Sequence, residues 1–202
     1  MMTASSAVGR IGPNAILQCM AVLEATLGAE RGRALMGRAG LQRHVDTPPQ
    51  QMVDEHDVQL LHQALRHELG TTLARTLARA AGMATGDYLL AHRIPAPARA
   101  VLPRLPAAWA SRLLLAAIAR HAWTFCGSGE FRVLPAPRPR SAKVSLSASP
   151  TAAGAHAGEP LCDYFAATFE RLYQSLVDAR SRVVETECTA MGAPSCVFEI
   201  TW

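Results

Sequence analysis

Val183-Val184-Glu185-Thr186-Glu187-Cys188, a turn bearing Gly192 and Pro194, and then Cys196-Val197-Phe198-Glu199-Ile200 close this chain and decide its fold. Two strand-like runs across a short turn read as an antiparallel hairpin. Each run has a cysteine at its turn end, and Cys162 lies upstream where a helical stretch begins. Zinc takes about four N, O or S ligands, and thiolates suit this borderline-soft ion. Cys162, Cys188 and Cys196 supply three, and Glu185 or Glu187 the fourth. Glu185 and Cys188 stand an odd number of positions apart, so a regular strand would send them to opposite faces. Glu185 therefore joins the site only where the strand ends or bulges between them. Three thiolates and a carboxylate around one dication leave an excess of about two negative charges. N–H donors, Arg180 or Arg182 are the expected neutralising neighbours. The competing reading is three buried thiols packed as small apolar groups.

Outward from the hairpin, 161–179 is strongly helical, with Phe165, Phe169, Leu172 and Leu176 on one face. Before it come a small polar loop over 147–159 and two strand-like runs, 131–134 and 142–146, linked through Pro135, Pro137 and Pro139. Pro106 can start a helix over 107–125. Further upstream, helices are expected over 13–27 and 30–39, and Thr47-Pro48-Pro49 breaks the chain. Asp54 can then cap one long helix over 55–81 that stops at Gly82, with more helical signal at 85–91. The stripe Val58, Leu61, Leu65, Leu69, Leu73, Leu77 on that helix is either core or a dimer seam. Residues 1–12 read as disordered. Helices, two strands, a helix and two strands spell α+β: a small antiparallel β-sheet covered by helices, with an N-terminal helical segment. The division is 1–12, a helical 13–106 and an α+β part over 107–202, within one compact domain.

Half of the 202 residues are hydrophobic but only 5% are aromatic, which favours closely packed helices. The formal charge of +4 comes from arginine, since Lys143 is the only lysine. The arginines are spread singly, so no nucleic-acid-binding arm is expected. They form a solvated surface or meet acidic partners and ligands. No stretch approaches the roughly 18 apolar residues of a membrane span. The best run, 113–119, is short and flanked by Arg112 and Arg120. No signal-peptide pattern opens the chain, so a cytoplasmic location with reduced cysteines is expected. Segment 107–131 gathers Trp109, His121, Trp123, Phe125 and Phe131. On one helix His121 and Phe125 would share a face, and Trp123 would point away by about 200°. The plain reading is an aromatic core cluster. His56, His62 and His67 share no tight face and read as surface residues. Gly127-Ser128-Gly129 precedes a strand rather than a helix, so it is no phosphate cradle.

The spacing Cys162, Glu185, Cys188, Cys196 resembles the zinc site in the sensory domains of phenol- and toluene-responsive transcription activators. Those domains belong to the 4-vinyl-reductase domain family, which is related in fold to vesicle-tethering subunits of the TRAPP complex. Asn14-Ala15-Ile16-Leu17-Gln18 and His121-Ala122-Trp123-Thr124-Phe125-Cys126-Gly127-Ser128-Gly129-Glu130-Phe131 resemble the family's bacteriochlorophyll branch. The resemblance covers nearly the whole chain and is strongest over 107–202. It selects Glu185 over Glu187 and implies a structural Zn2+. The chain has no ATPase or DNA-binding module and is not expected to be an activator.

The resemblance also implies a hydrophobic ligand between helices and sheet, here a Mg-porphyrin or chlorophyllide-type tetrapyrrole. His121 would be its axial ligand and Trp123 or Phe125 would stack on the ring. Arg112 or Arg120 would meet the acidic edge, and Trp109 and Phe131 would line the pocket. The family name implies reduction of the C8 vinyl group of a divinyl chlorophyllide precursor. That reaction needs a hydride or electrons from a nicotinamide, flavin or iron–sulfur group. The sequence has no dinucleotide fingerprint, and its cysteines are too few for a cluster beside the zinc. The favoured expectation is therefore an accessory protein that binds and delivers the tetrapyrrole to bacteriochlorophyll-pathway enzymes. The alternatives are the 8-vinyl reductase itself, and a small-molecule sensor or scaffold. A homodimer through the N-terminal helices and a peripheral place on the photosynthetic membrane complete the expectations.

Overall fold

The computed structural model describes residues 9–202. Of the stretch expected to be disordered, 1–8 lies outside the described residues. The remainder is ordered, because Arg10–Ile11 (β1) pairs antiparallel with Val53–Asp54 (β2). The chain continues through α1 (Asn14–Leu27), α2 (Ala29–Arg38) and the short α3 (Gln42–Asp46). Asp54 caps α4 (Glu55–Leu69) as expected, its carboxylate accepting the His56 N–H at 2.8 Å.

The expected single helix over 55–81 is instead two. Gly70 adopts φ +77°, a value that favours glycine, and ends α4. Helix α5 (Thr71–His92) then runs straight through Gly82 and absorbs the expected 85–91 segment. Gly82 is needed for contact, not for a stop. A Cβ there would lie 2.2 Å from the Tyr164 carbonyl oxygen of α8 (Asp163–Leu176). The bare backbone lets α5 lie close on α8, and Thr168 donates its hydroxyl to the Gly82 carbonyl at 3.0 Å.

After α6 (Ala96–Val101) comes α7 (Ala107–Arg120), which is shorter than the expected 107–125. His121 is its C-cap, and Ala122–Thr124 forms a 3-10 turn. His121 and Phe125 therefore do not share an α-helical face. Four strands form the second sheet: β3 (Phe131–Leu134), β4 (Ser141–Leu146), β5 (Arg182–Glu187) and β6 (Cys196–Thr201). Their order is β3-β4-β6-β5 and every neighbouring pair is antiparallel. This is the expected α+β architecture.

Helix α8 is the keystone. Its Tyr164, Phe165, Ala167, Phe169, Leu172, Tyr173 and Leu176 are all buried, because α5 packs on one side and the sheet lies on the other. A helix apolar nearly all round belongs in the interior. Its polar atoms are matched: Tyr164 and Tyr173 hydroxyls bond Thr85 and Ser111, each at 2.9 Å. Buried Glu170 accepts the Val183 N–H at 2.9 Å and pairs with Arg79. Toward the sheet, Phe125, Phe131, Phe165, Phe169 and Phe198 form a ring cluster with neighbouring centroids 5.6–6.2 Å apart. Within the stripe on α4 and α5, Val58, Leu61, Leu65 and Leu77 are buried in the protomer's own core. Leu69 is partly buried against it and Leu73 is exposed.

Candidate metal centre

Three elements converge at the sheet end nearest the start of α8. Cys162 is the N-cap residue of α8, Glu185 lies in β5, Cys188 follows that strand, and Cys196 opens β6. The register puts Glu185 opposite Phe198 but Glu187 opposite Val197, so the strand bulges between them. The bulge supplies the change of face that the odd spacing demands. All four side chains are buried, and their donor atoms lie within 4.8 Å of one another. Cys162 Sγ is 3.1 Å from Cys196 Sγ, which is 3.7 Å from Cys188 Sγ. Sulfurs on one tetrahedral zinc would sit roughly 3.8 Å apart.

The carboxylate is oriented for ligation. Glu185 Oε2 accepts the Cys162 backbone N–H at 2.7 Å. Glu185 Oε1 is buried with no hydrogen-bond partner. A buried carboxylate oxygen left bare is costly, and a cation among the three sulfurs would satisfy it. Burial, and then the Cys188 charge, push the Glu185 carboxyl up to about 8. Cys162 is pushed well up by burial and by its hydrogen bond to Cys188. Cys188 is pulled down by hydrogen bonds from Cys162 and Cys196. Without a cation, then, the cluster cannot hold its full negative charge. The donor set fits zinc, and four protein donors leave no position for water. The chemistry this supports is a clamp joining hairpin to helix.

The neighbouring cation differs from expectation. Arg180 is occupied by Asp178 at 3.1 Å, and Arg182 reaches the Ser181 carbonyl. Arg66 of α4 takes that role instead. One of its nitrogens donates to the Thr151 carbonyl at 2.8 Å, the other is buried without a partner, and its charge acts on Cys162 and Cys188. N–H donors are present as expected, since the Leu161 and Ala190 amides bond the Cys188 sulfur. The Ser149 hydroxyl stands 3.2 Å from Cys162 Sγ. Sequence spacing held no sign of Arg66, which lies far along the chain from every ligand. His62, one turn before it, is buried and not a surface residue as expected. Its ring packs edge-on to Tyr164.

The seven residues expected at a ligand pocket divide. Phe131 is buried and Phe125 partly buried in the ring cluster. Trp109, Arg112, Arg120, His121 and Trp123 lie at the surface. The seven do not enclose one cavity. A cleft of about 650 Å³ lies elsewhere, between α3 and the β2–α4 junction. Beside it, His44 Nε2 meets Asp57 at 2.7 Å and Arg43 pairs with the same carboxylate, tying α3 to α4. A second, of about 460 Å³, reaches Ser149 and Thr189 beside the thiols. On the outer face His121 is fixed in one tautomer: its Nδ1 lies 2.8 Å from the Ala117 carbonyl, so Nδ1–H donates and Nε2 keeps its lone pair.

The model of the 4-vinyl-reductase domain family matches residues 143–202, a segment that includes all four candidate ligands. The chain is 46% identical over 191 residues to the bacteriochlorophyll synthase 23 kDa chain of Cereibacter sphaeroides, covering 95% of this chain and 90% of that one. It is 45% identical over 190 residues to the protein of the same name from Rhodobacter capsulatus, covering 94% and 85%. Among solved structures, it resembles the phenol-responsive sensory domain of the transcription activator PoxR, with a TM-score of 0.55 at 15% identity, covering 74% of each chain. It also resembles a trafficking protein particle complex subunit 3 from Naegleria fowleri, at a TM-score of 0.50 and 12% identity, covering 73% of this chain and 93% of that one. At such identities these two likenesses concern the fold.

Proposed function

The chain belongs to the family of the bacteriochlorophyll synthase 23 kDa chains, and from that membership we propose that it serves bacteriochlorophyll synthesis as a non-catalytic accessory protein. It holds a Mg-porphyrin or chlorophyllide-type tetrapyrrole and passes it to pathway enzymes. The observation that carries this reading is His121. Its Nδ1–H is spent on Ala117, so the exposed ring offers Nε2 outward as an axial ligand for a central magnesium. Trp109 and Trp123, 62% and 66% exposed, offer flat faces nearby in the chain. Arg112 and Arg120 can meet acidic propionates. Phe125 and Phe131 support this segment from within the core. An open face suits a protein that must release its ligand to another.

The four buried donors hold one structural Zn2+, which pins the terminal hairpin to α8 and Arg66 to both. The chain works at the periphery of the photosynthetic membrane. It pairs as a homodimer through its N-terminal helices; sedimentation at the 21.6 kDa monomer mass would remove the dimer. Titrating purified protein with a Mg-porphyrin tests the central proposal: a Soret shift with micromolar or tighter affinity, about −8 kcal/mol, is expected. Incubation with a divinyl precursor and NADPH, or with reduced ferredoxin, should leave the vinyl group intact. Absence of binding defeats the carrier reading, and an ethyl product would establish the reductase instead.

A further inference from the structure

Between Asp87 and Glu130 the chain has no carboxylate side chain, yet it carries Arg93, Arg99, Arg104, Arg112 and Arg120. Those five charges exceed the +4 of the whole chain, so the remainder is close to neutral. All five are exposed, and among the described residues none pairs with a carboxylate. Elsewhere arginines are regularly neutralised, as Arg38, Arg75, Arg79, Arg140 and Arg171 are.

The same segment leaves apolar surface unused. Helix α7 is apolar on both sides. Ala110, Leu114, Leu115 and Ile118 face the core. Trp109, Leu113 and Ala116 recur at i, i+4 and i+7 on the opposite, exposed side, with Arg120 at i+11. Trp109 is 62% and Leu113 52% exposed. Val101 at the end of α6 and Trp123 after α7 are exposed as well.

We infer that the outer face of α6 and α7 docks on an anionic lipid bilayer. Exposed indoles partition to the boundary between headgroups and chains, where one end is apolar and the other wet. Arginine lays its stem along apolar surface and sets a planar fork on lipid phosphates. A helix with an outward apolar stripe flanked by cations has the make-up of an element lying in the interface plane, and the acid-free segment is complementary to anionic headgroups. This inference deepens the peripheral membrane placement proposed above and rests on it. It adds that the face carrying Trp109, Leu113, Arg112 and Arg120 is the contact. A tetrapyrrole held at His121 would then be presented beside the bilayer.

The test is flotation of the full chain with vesicles of phosphatidylglycerol and phosphatidylcholine, against phosphatidylcholine alone, in low and high salt. Binding should need the anionic lipid and weaken with salt. R112E/R120E and W109S/L113S, which alter only exposed side chains, should each weaken it by roughly tenfold or more. R31E/R33E on α2 should not, and circular dichroism would confirm that each variant is folded. If the parent binds anionic vesicles but all three variants bind equally well, the membrane placement stands and this face is wrong. If the parent ignores anionic vesicles, both fail. If W109S/L113S instead dissolves a dimer seen by sedimentation, the face joins copies of the chain, and the lipid inference is overturned.

Discussion

Glu185 gives one carboxylate oxygen to the Cys162 amide at 2.7 Å and leaves the other bare in the interior, among three thiols. The same side chain thus ties β5 to the start of α8 and completes a four-donor set. About one zinc per chain is expected by metal analysis. Glu185→Gln keeps an acceptor for the amide but loses the anionic ligand, and should weaken zinc at least roughly tenfold. Glu187→Gln, on the far side of the bulge, should bind zinc like the parent. Zinc-free parent protein, together with a C188S/C196S variant melting at the same temperature, would remove the metal from this account.

Arg66 makes a separable prediction. Its partnerless nitrogen and its charge are spent on the thiolate cluster. Arg66→Met keeps much of the stem and removes the cation, so zinc affinity should fall about 10–100-fold, the usual effect of losing a residue that supports metal ligands. R180M should leave it unchanged, because Arg180 is paired with Asp178. Equal losses in the two variants would mean that the effect is one of general surface charge.

Gly82→Ala tests the α5–α8 contact. The new methyl would meet the Tyr164 carbonyl oxygen at 2.2 Å and the Ala167 methyl at 2.9 Å. The helices must move apart, at a cost of about 1–3 kcal/mol, or roughly 3–10 °C in Tm for a chain of this length. Gly158→Ala, where nothing lies within 4 Å, serves as the control. A G82A variant as stable as the parent would show that α8 is not held as closely as described.

These positions also show what the sequence could reveal. The donor set and the need for a bulge were legible because strand parity is a local rule, and the register shift between Glu185 and Glu187 obeys it. The identity of the helix breaker was not legible. Gly70 and Gly82 look alike in a chain, but one takes a positive φ and the other admits a neighbouring backbone. His62 and Arg66 read as surface because period alone cannot tell a polar face from one turned toward a buried charge cluster. The end of α7 at Arg120 was missed because apolar residues continue into the turn that follows. That miss moved Trp123 and His121 to the surface and left Phe125 inside.

His62 makes stability depend on pH. Burial first, and then the Arg66 charge, lower it from 6.5 to about 3. The unfolded chain therefore takes up a proton below about pH 6.5 that the folded chain refuses. The stability from keeping this ring neutral is complete above that pH and drains away as pH falls toward 3. His62→Leu should flatten the loss, so that between about pH 6.5 and 5 the parent falls by up to about 2 kcal/mol more than the variant. Urea midpoints at several pH values measure it, and metal release at low pH, common to both proteins, cancels in the difference. Parallel curves would mean that the folded protein lets this ring protonate.

His121 distinguishes axial ligation from stacking. With Nδ1–H held by Ala117, only Nε2 is available to a metal, and a porphyrin without a central metal cannot use it. His121→Ala should therefore weaken a Mg-porphyrin by roughly tenfold or more while leaving the metal-free porphyrin nearly unchanged. Trp123→Ala should weaken both alike, because a stacked indole feels the macrocycle rather than its metal. The Soret band of the bound Mg-porphyrin should also differ between parent and H121A, since the axial ligand changes. If H121A lowers both affinities equally, His121 is a wall of the site and not its ligand; if it lowers neither, the tetrapyrrole binds elsewhere on the chain or not at all.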